Sequence, residues 1–145
     1  MKDLMASAPY LIALSAGFLA QASKFLAHLL RHRQVNFTRL VATGGLPSSH
    51  SASVAALTTA VAFRSGLDST LFAVTLFFSL VIMYDAAGLR RAAGMQARVL
   101  NHIIEDHYEH RGFRPERLSE LLGHTPFEVL VGAALGVLYG MIWYV

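Results

Sequence analysis

Four apolar segments set the strongest limit on the fold of this chain. They occupy about residues 8–30, 49–63, 69–88 and 127–145. A helix needs roughly 20 apolar residues to cross the hydrocarbon core of a bilayer, and these segments approach or reach that length. Charged residues make up 14% of the chain, which is low for a soluble domain. We therefore predict an all-α membrane protein whose single domain, residues 1–145, is a polytopic bundle of about four transmembrane helices.

The longest polar stretch, residues 90–126, separates the last two segments. Its apolar residues recur at helical spacing and are Met95, Val99, Leu100, Ile103 and Ile104. This pattern predicts an amphipathic helix that lies at the membrane interface or against the bundle. Farther along, Pro115 suits a first helical turn and Gly123 suits a C-terminal stop, which predicts a second, shorter helix.

The distribution of basic residues predicts the orientation in the membrane. Four crossings place the 31–48 loop and the 90–126 region on the same side, opposite Lys2 and Arg64. Nine arginines lie on the shared side: Arg31, Arg33, Arg39, Arg90, Arg91, Arg98, Arg111, Arg114 and Arg117. By the positive-inside rule we expect these loops in the cytoplasm and both termini outside, as in a multi-pass protein of a bacterial inner membrane.

Composition also excludes several classes of function. The net charge of +3 comes without a basic run interleaved with aromatic residues, so no nucleic-acid interface is expected. The chain has no cysteine and therefore no thiolate nucleophile. Residues 102–110, HIIEDHYEH, contain imidazoles and carboxylates that can bind transition metals, but their spacing matches no established metal motif. A solvated helix face is the simpler interpretation, and we predict neither a metal nor a cofactor.

Polar residues gather at 43–54, TGGLPSSHSASV, around the start of the second apolar segment. The two glycines permit tight turns, and Pro47 fits the first position of a helix. The first turn then holds Ser48, Ser49 and His50. Backbone N–H groups at a helix start, with hydroxyls beside them, form an anion site that suits phosphate. The alternative is a capped helix start whose serines satisfy the backbone.

Two basic residues lie near the end of the first apolar segment. Lys24 and Arg31 are seven residues apart, so two helical turns place them on nearly one face, separated by roughly 10 Å. An ionisable residue inside a span is a candidate for function because burial without a partner is costly. The alternative for Lys24 is a structural ion pair with Asp85.

A third motif, GHTPFEV at 123–129, precedes the last segment. Thr125 as N-cap, with Glu128 three residues later, is typical of a capping box. Glu128 also lies four residues after His124, where its carboxylate can hold the imidazole so that one nitrogen is available for attack. The two interpretations are compatible.

Together these motifs resemble the three-part signature of the type 2 phosphatidic acid phosphatase superfamily, which includes lipid phosphatases, bacterial acid phosphatases and vanadium-dependent haloperoxidases. The signature comprises Lys24 six residues before Arg31, PSSH at 47–50, and His124 followed by an acid. More closely, TGGLPSSHSA, MYDAAGLRRAAGMQA and LLGHTPFEVLVGA resemble the divergent branch of small bacterial and plant membrane proteins related to it. The resemblance spans about residues 20–136.

The resemblance implies a metal-independent mechanism with a phosphohistidine intermediate. By position, the phosphate-binding residues would be Lys24, Arg31, Ser48 and Ser49. Their donors would stabilise the charge of the transferring phosphoryl group. His50 would protonate the leaving oxygen, His124 would be the nucleophile and Glu128 would orient it.

The chain departs from the superfamily pattern at four positions. His32 replaces a proline, Ser49 a glycine, Glu128 an aspartate and Leu118 the arginine six residues before the nucleophile. Arg90 or Arg91 would supply that guanidinium if residues 91–123 form an insertion, whereas Arg117 is one residue out of register.

The resemblance implies a membrane phosphatase-like domain that hydrolyses a lipid or isoprenoid phosphate or pyrophosphate. The alternative is a non-catalytic membrane protein that binds a phosphorylated lipid or a partner protein, an interpretation favoured by the missing arginine. Gly132, Gly136 and Gly140 have the four-residue spacing that allows close helix packing within the bundle or between subunits of a homo-oligomer. Packing inside the bundle is the commoner use and is our prediction.

Overall fold

A computed structural model describes residues 2–33, 45–108 and 123–145. Those residues form helices and no strand. The helices in chain order are α1 Lys2–Ser7, α2 Pro9–His32, α3 Ser49–Ser65, α4 Thr70–Ala87, α5 Leu89–Tyr108 and α6 Pro126–Ile142. The predicted apolar segments thus correspond to α2, α3, α4 and α6, and the predicted amphipathic helix corresponds to α5. The shorter helix predicted between Pro115 and Gly123 lies almost wholly outside the described residues.

Helix α3 lies at the centre of the bundle and packs against α2, α4 and α6. Its buried residues are small and are Ser51, Ala52, Ala55, Ala56, Thr58, Thr59, Ala60 and Val61. Large apolar side chains instead cover the outer faces of the surrounding helices, where Phe18, Phe77 and Leu130 are exposed. An apolar exterior around a small-residue interior is the arrangement expected of a helical bundle that faces lipid.

The glycines of α6 allow its backbone to lie directly against α3. A Cβ at Gly132 would overlap the carbonyl oxygen of Ser48, and one at Gly136 would overlap that of Ala52. Gly140 lies one turn farther along, where a Cβ would stand 3.0 Å from the Thr59 Cβ. The glycine stripe therefore serves contacts inside the bundle, as predicted, and it fixes the position of α6 on α3.

Hydroxyl groups join α3 to α4. Thr58 Oγ1 and Ser79 Oγ are 2.7 Å apart, and Ser79 Oγ also donates to the carbonyl oxygen of Val54 over 3.2 Å. Such interhelical hydrogen bonds contribute about 0.6 kcal/mol each in membrane proteins. They place α4 in register with α3 without a charged pair.

Both chain termini lie at the end of the bundle where α3 finishes. The Tyr144 hydroxyl donates to the carbonyl oxygen of Ala6 over 3.0 Å, and Arg64 donates to the carbonyl oxygen of Ser7. The Phe63 and Tyr144 rings stack with centroids 5.3 Å apart. Since the helices alternate in direction, α2 and α4 end, and α3 and α6 begin, at the opposite end. The described residues that flank the two polar loops therefore lie at one end of the bundle.

Two stretches of the described chain are long and apolar enough to cross a membrane, residues Pro9–Arg31 and a run that begins at Thr70, and α6 is a shorter apolar helix. Helix α5 continues from α4 with a different pattern, because Met95, Val99 and Ile103 form an exposed apolar face on an otherwise polar helix. This is the composition of a helix at a membrane interface. The predicted all-α bundle with an added amphipathic helix is confirmed.

Candidate functional site

The start of α3 forms the first part of the site. Ser48 is the N-cap, and its buried hydroxyl accepts from the backbone N–H of Ser51 at 3.3 Å and from the Ser51 hydroxyl at 3.0 Å. The prediction that Pro47 occupies the first helical position is wrong. Ser48 has extended backbone angles, φ −68° and ψ 118°, so the helix begins at Ser49, two residues after the predicted start. Gly45 has φ +83°, in agreement with the predicted tight turn.

The start of α6 supplies the second part. His124 is buried, and its Nδ1 lies 3.2 Å from Oε2 of Glu128. The same carboxylate oxygen accepts from the backbone N–H of Thr125 at 3.0 Å, and the Glu128 N–H donates to the Thr125 hydroxyl at 3.3 Å. The predicted capping box and the predicted histidine–carboxylate pair are therefore present together. A carboxylate at Nδ1 holds the proton on that nitrogen, which leaves the lone pair on Nε2.

Backbone hydrogen bonds join these two helix starts. The Ser48 N–H donates to the carbonyl oxygen of Glu128 over 3.1 Å, and the His124 N–H donates to that of Ala86 over 3.1 Å. The end of α4 is thereby tied to the same cluster. The His50 ring lies edge-on to the His124 ring, with centroids 6.4 Å apart and planes inclined by 65°. The two histidines, each in or beside a region predicted to lie on the same side of the membrane, are therefore neighbours.

Lys24 approaches this cluster from α2. Its half-buried ammonium group donates to Gln21 Oε1 over 3.2 Å and interacts electrostatically with Glu128. A side chain at Gly45 would contact its Cδ, so the lysine runs along the loop that leads into α3. Lys24 and Asp85 both lie in the described part of the chain, and no ion pair joins them. The alternative of a structural ion pair for Lys24 is therefore wrong. Arg31 is exposed seven residues later, in the last turn of α2.

The chain matches the divergent PAP2 family over residues 5–139, a range that contains every residue of the cluster. The chain belongs to the divergent PAP2 family. It is also 40% identical to the Bacillus subtilis (strain 168) protein named uncharacterized membrane protein YuiD, across 97% of this chain and 96% of that protein. No solved structure matches the chain. The predicted family is confirmed, and the chain is a membrane protein.

Two predicted phosphate-binding residues of this divergent PAP2 chain, Arg90 and Arg91, are described by their backbone alone. Arg90 and Arg91 lie in the first turn of α5, next to the end of α4, but their side chains are outside the described part of the structure. Leu118 and Arg117 are outside it altogether. Across the described residues, no cluster of three histidine or acidic side chains is placed to hold a metal ion.

Sequence reasoning missed three contributors to the site. Ser51 supports the cap hydroxyl of Ser48, Gln21 accepts from Lys24, and the Ala86 carbonyl oxygen holds the backbone of His124. Ser51 and Gln21 lie three residues from Ser48 and Lys24, a spacing at which helical residues share a face. That spacing was a usable signal. The Ala86 contact joins distant parts of the chain and left no local signal.

Proposed function

We propose that this chain is a multi-pass membrane phosphatase that hydrolyses a phosphate or pyrophosphate ester of a lipid or isoprenoid. The observation that carries the proposal is the buried His124, held at Nδ1 by Glu128 and flanked by the ring of His50. Both rings lie at the start of a helix, which favours negative charge. Family membership supports the same reaction class.

The proposed reaction has two steps. Nε2 of His124 attacks the phosphorus atom, the bond from phosphorus to the ester oxygen breaks, and protonated His50 gives its proton to that oxygen. A water molecule then attacks the phosphohistidine and transfers a proton to His50, so phosphate leaves and both histidines return to their starting states. Glu128 stabilises the positive charge that His124 acquires while it carries the phosphoryl group.

Phosphate binding is assigned to the donors around the helix start. Lys24 supplies a positive charge, and the first-turn backbone of α3, with the half-buried Ser49, supplies hydrogen-bond donors. The Ser48 hydroxyl is buried and accepts as the helix cap, so we assign to it the role of holding that backbone in place. Arg31 and one of Arg90 or Arg91 complete the charge that a phosphoryl group requires.

Substrate binding requires a movement of His50. Nε2 of His124 is buried, and the His50 ring packs against the same imidazole. Attack needs the phosphorus atom at about 3–3.5 Å from Nε2, a position that opens when the exposed His50 swings outward. This movement would bring the general acid to the leaving-group side of the phosphate, opposite the nucleophile.

The substrate class and the cellular location follow from where the site lies. It is at one end of an apolar bundle, close to the level expected for lipid headgroups. The arginine count supports a cytoplasmic location for this end, in a bacterial inner membrane. A phosphate ester with a hydrocarbon chain can reach the site without leaving the bilayer, whereas a soluble ester gains nothing from this position.

The test is phosphate release by purified protein in detergent, from a panel of alkyl and isoprenoid phosphates and pyrophosphates, with and without a chelator. Wild type is compared with His124→Ala, and His102→Ala on the exposed face of α5 is the matched control. We expect chelator-resistant release that is lost in His124→Ala and kept in the control. Equal release by wild type and His124→Ala would refute the mechanism.

A non-catalytic lipid-binding function is the second candidate, and the leucine at position 118 favours it because the family-related arginine is missing there. The same preparation separates the two functions. Saturable binding of an alkyl phosphate by wild type, without release of phosphate from any member of the panel, would select binding over hydrolysis.

A further inference from the structure

A cavity of about 500 Å³ lies beside α3, between α4 and α6. Its floor is the α3 face that includes Ala55 and Ala62, and its walls include Leu76 on α4 and Val137 on α6. The hydroxyls of Thr58 and Ser79 also line it, but the hydrogen bond between them occupies both groups. The groove therefore offers carbon surface to a ligand, and an apolar chain is the chemistry that it fits.

On α3 the groove leads toward the proposed site. The lining residues Ala55 and Ala62 share one helical face, and the residue four positions before Ala55 is Ser51. Ser51 is buried and donates its hydroxyl to Ser48. One turn of α3 thus separates the groove from the helix cap at which phosphate is proposed to bind.

On α4 the helix face that lines the groove continues to the carbonyl group that binds the backbone of His124. Ser79 and Met83 line the groove, and Ala86 lies three residues after Met83 on the same face. Ala86 is buried, and its carbonyl oxygen accepts from the N–H of His124.

On α6 the lining face runs through Val137 and Ala133, and four residues before Ala133 is the buried Val129. Val129 directly follows Glu128, the residue that holds the imidazole of His124. All three walls of the groove therefore converge on the cluster that contains His50 and His124.

The dimensions suit an amphiphile whose polar end lies at that cluster. Ala55 is five residues from His50, which is about 8 Å along α3, and the groove then follows α3 from Ala55 to Phe63 for about 12 Å. The hydrocarbon core of a bilayer is about 30 Å thick, so this path of about 20 Å is longer than one leaflet and reaches past the middle of the bilayer.

We propose that the groove between α4 and α6 holds the hydrocarbon chain of a phosphorylated lipid whose phosphate lies at His50 and His124. This assignment rests on the proposed function for the position of the phosphate. It makes chain length a determinant of recognition, because the chain contacts the protein from Ala55 to the far end near Phe63 and Leu67.

The first experiment measures occupancy without requiring turnover. A long-chain alkyl phosphate with a diazirine on its terminal carbon is photolysed with wild-type protein in detergent, and labelled residues are mapped by mass spectrometry. We expect labels on Phe63, Leu67 and Phe72, at the far end of the groove. The matching alcohol, which lacks the phosphate, should label them about tenfold less, since a charge-assisted hydrogen bond is worth that factor or more. Equal labelling by both probes, or labels on the lipid-facing Phe77 in place of these residues, would overturn the proposal.

The second experiment separates the groove from the catalytic step. Ala133→Leu fills the groove, and Ala134→Leu makes the same change on the exposed face of α6, one residue later. For a long-chain phosphate, we expect Ala133→Leu to lower kcat/KM about tenfold or more, with little change for a short-chain phosphate and none in Ala134→Leu. Equal losses on both substrates would overturn the groove assignment while hydrolysis stands. If the wild-type protein releases phosphate from no substrate, the hydrolytic function is refuted. The labelling experiment then tests by itself whether the groove holds the hydrocarbon chain.

Discussion

A methyl group at Gly136 is predicted to force α6 away from α3. A Cβ at this position would overlap the Ala52 carbonyl oxygen and stand 2.9 Å from the Ala52 Cα. Because these are backbone atoms in a helix, they cannot rotate aside, and one helix has to move. Gly140 provides the comparison, since a Cβ there would meet the Thr59 Cβ at 3.0 Å, its methyl group at 3.1 Å and the Ala56 carbonyl oxygen at 3.2 Å. A shift of a few tenths of an ångström relieves these contacts, whereas the overlap at Gly136 requires a larger displacement.

The expected cost follows from two opposing effects. Replacing glycine with alanine inside a helix stabilises it by about 1 kcal/mol. Overpacking costs about 1–3 kcal/mol, and contact with backbone belongs at the upper end of that range. Gly136→Ala should therefore destabilise the bundle by about 2 kcal/mol, which is roughly a 30-fold change in the folding equilibrium. Gly140→Ala should change stability by less than about 1 kcal/mol.

The assay is reversible unfolding of purified protein in mixed micelles of mild detergent and sodium dodecyl sulfate, followed by circular dichroism. Both variants have the same chemical change on the same helix face, so differences in detergent binding largely cancel. The refuting result is equal stability of Gly136→Ala and Gly140→Ala, or a Gly136→Ala protein as stable as wild type. Either result would mean that the glycine stripe does not set the distance between α3 and α6.

Three further predictions address the site and its orientation. Glu128→Gln keeps an acceptor for the helix cap but removes the charge that holds His124, so phosphate release should fall at least about 100-fold while the thermal unfolding midpoint changes little; unchanged release would exclude Glu128 as the orienting group. His50→Ala should slow esters of alkyl alcohols far more than aryl esters, whose leaving oxygen needs no proton, and equal losses on both would contradict a general-acid role. In intact cells, a cysteine at Gln96 should be shielded from an impermeant thiol reagent and one at Asp68 should be labelled; the reverse pattern would invert the topology.

Local sequence features were sufficient to predict helices α2 to α6, whereas α1 was not predicted. The lengths of the apolar runs placed α2 and α4, and the alternation of helix direction then brought His50 and His124 to the same end. The capping box was also readable, because Thr125 and Glu128 are close in the sequence and their pairing depends on one helical turn. Helix length and helix capping both depend on residues that are close in the sequence, so the sequence alone predicts them.

The exact start of α3 was not readable from local sequence. Pro47 and Ser48 are both acceptable near a helix start, and the choice between registers depends on a distant contact, the hydrogen bond from the Ser48 N–H to the Glu128 carbonyl oxygen. The groove was unpredictable for another reason. Residues such as Leu76 and Val137 line it, and in sequence they cannot be distinguished from apolar residues that face lipid.

The difference between α6 and α4 explains how one bundle contains both a closed junction and an open groove. Helix α6 presents Gly132 and Gly136 to α3, so their backbones touch and the Glu128 carbonyl oxygen reaches the N–H of Ser48. Helix α4 instead presents larger side chains, including Leu76, and cannot approach α6 as closely. The space that remains between α4 and α6 is the groove. Residue size along two helices thus fixes the position of the His124 cluster and also leaves the groove that we propose to hold a hydrocarbon chain.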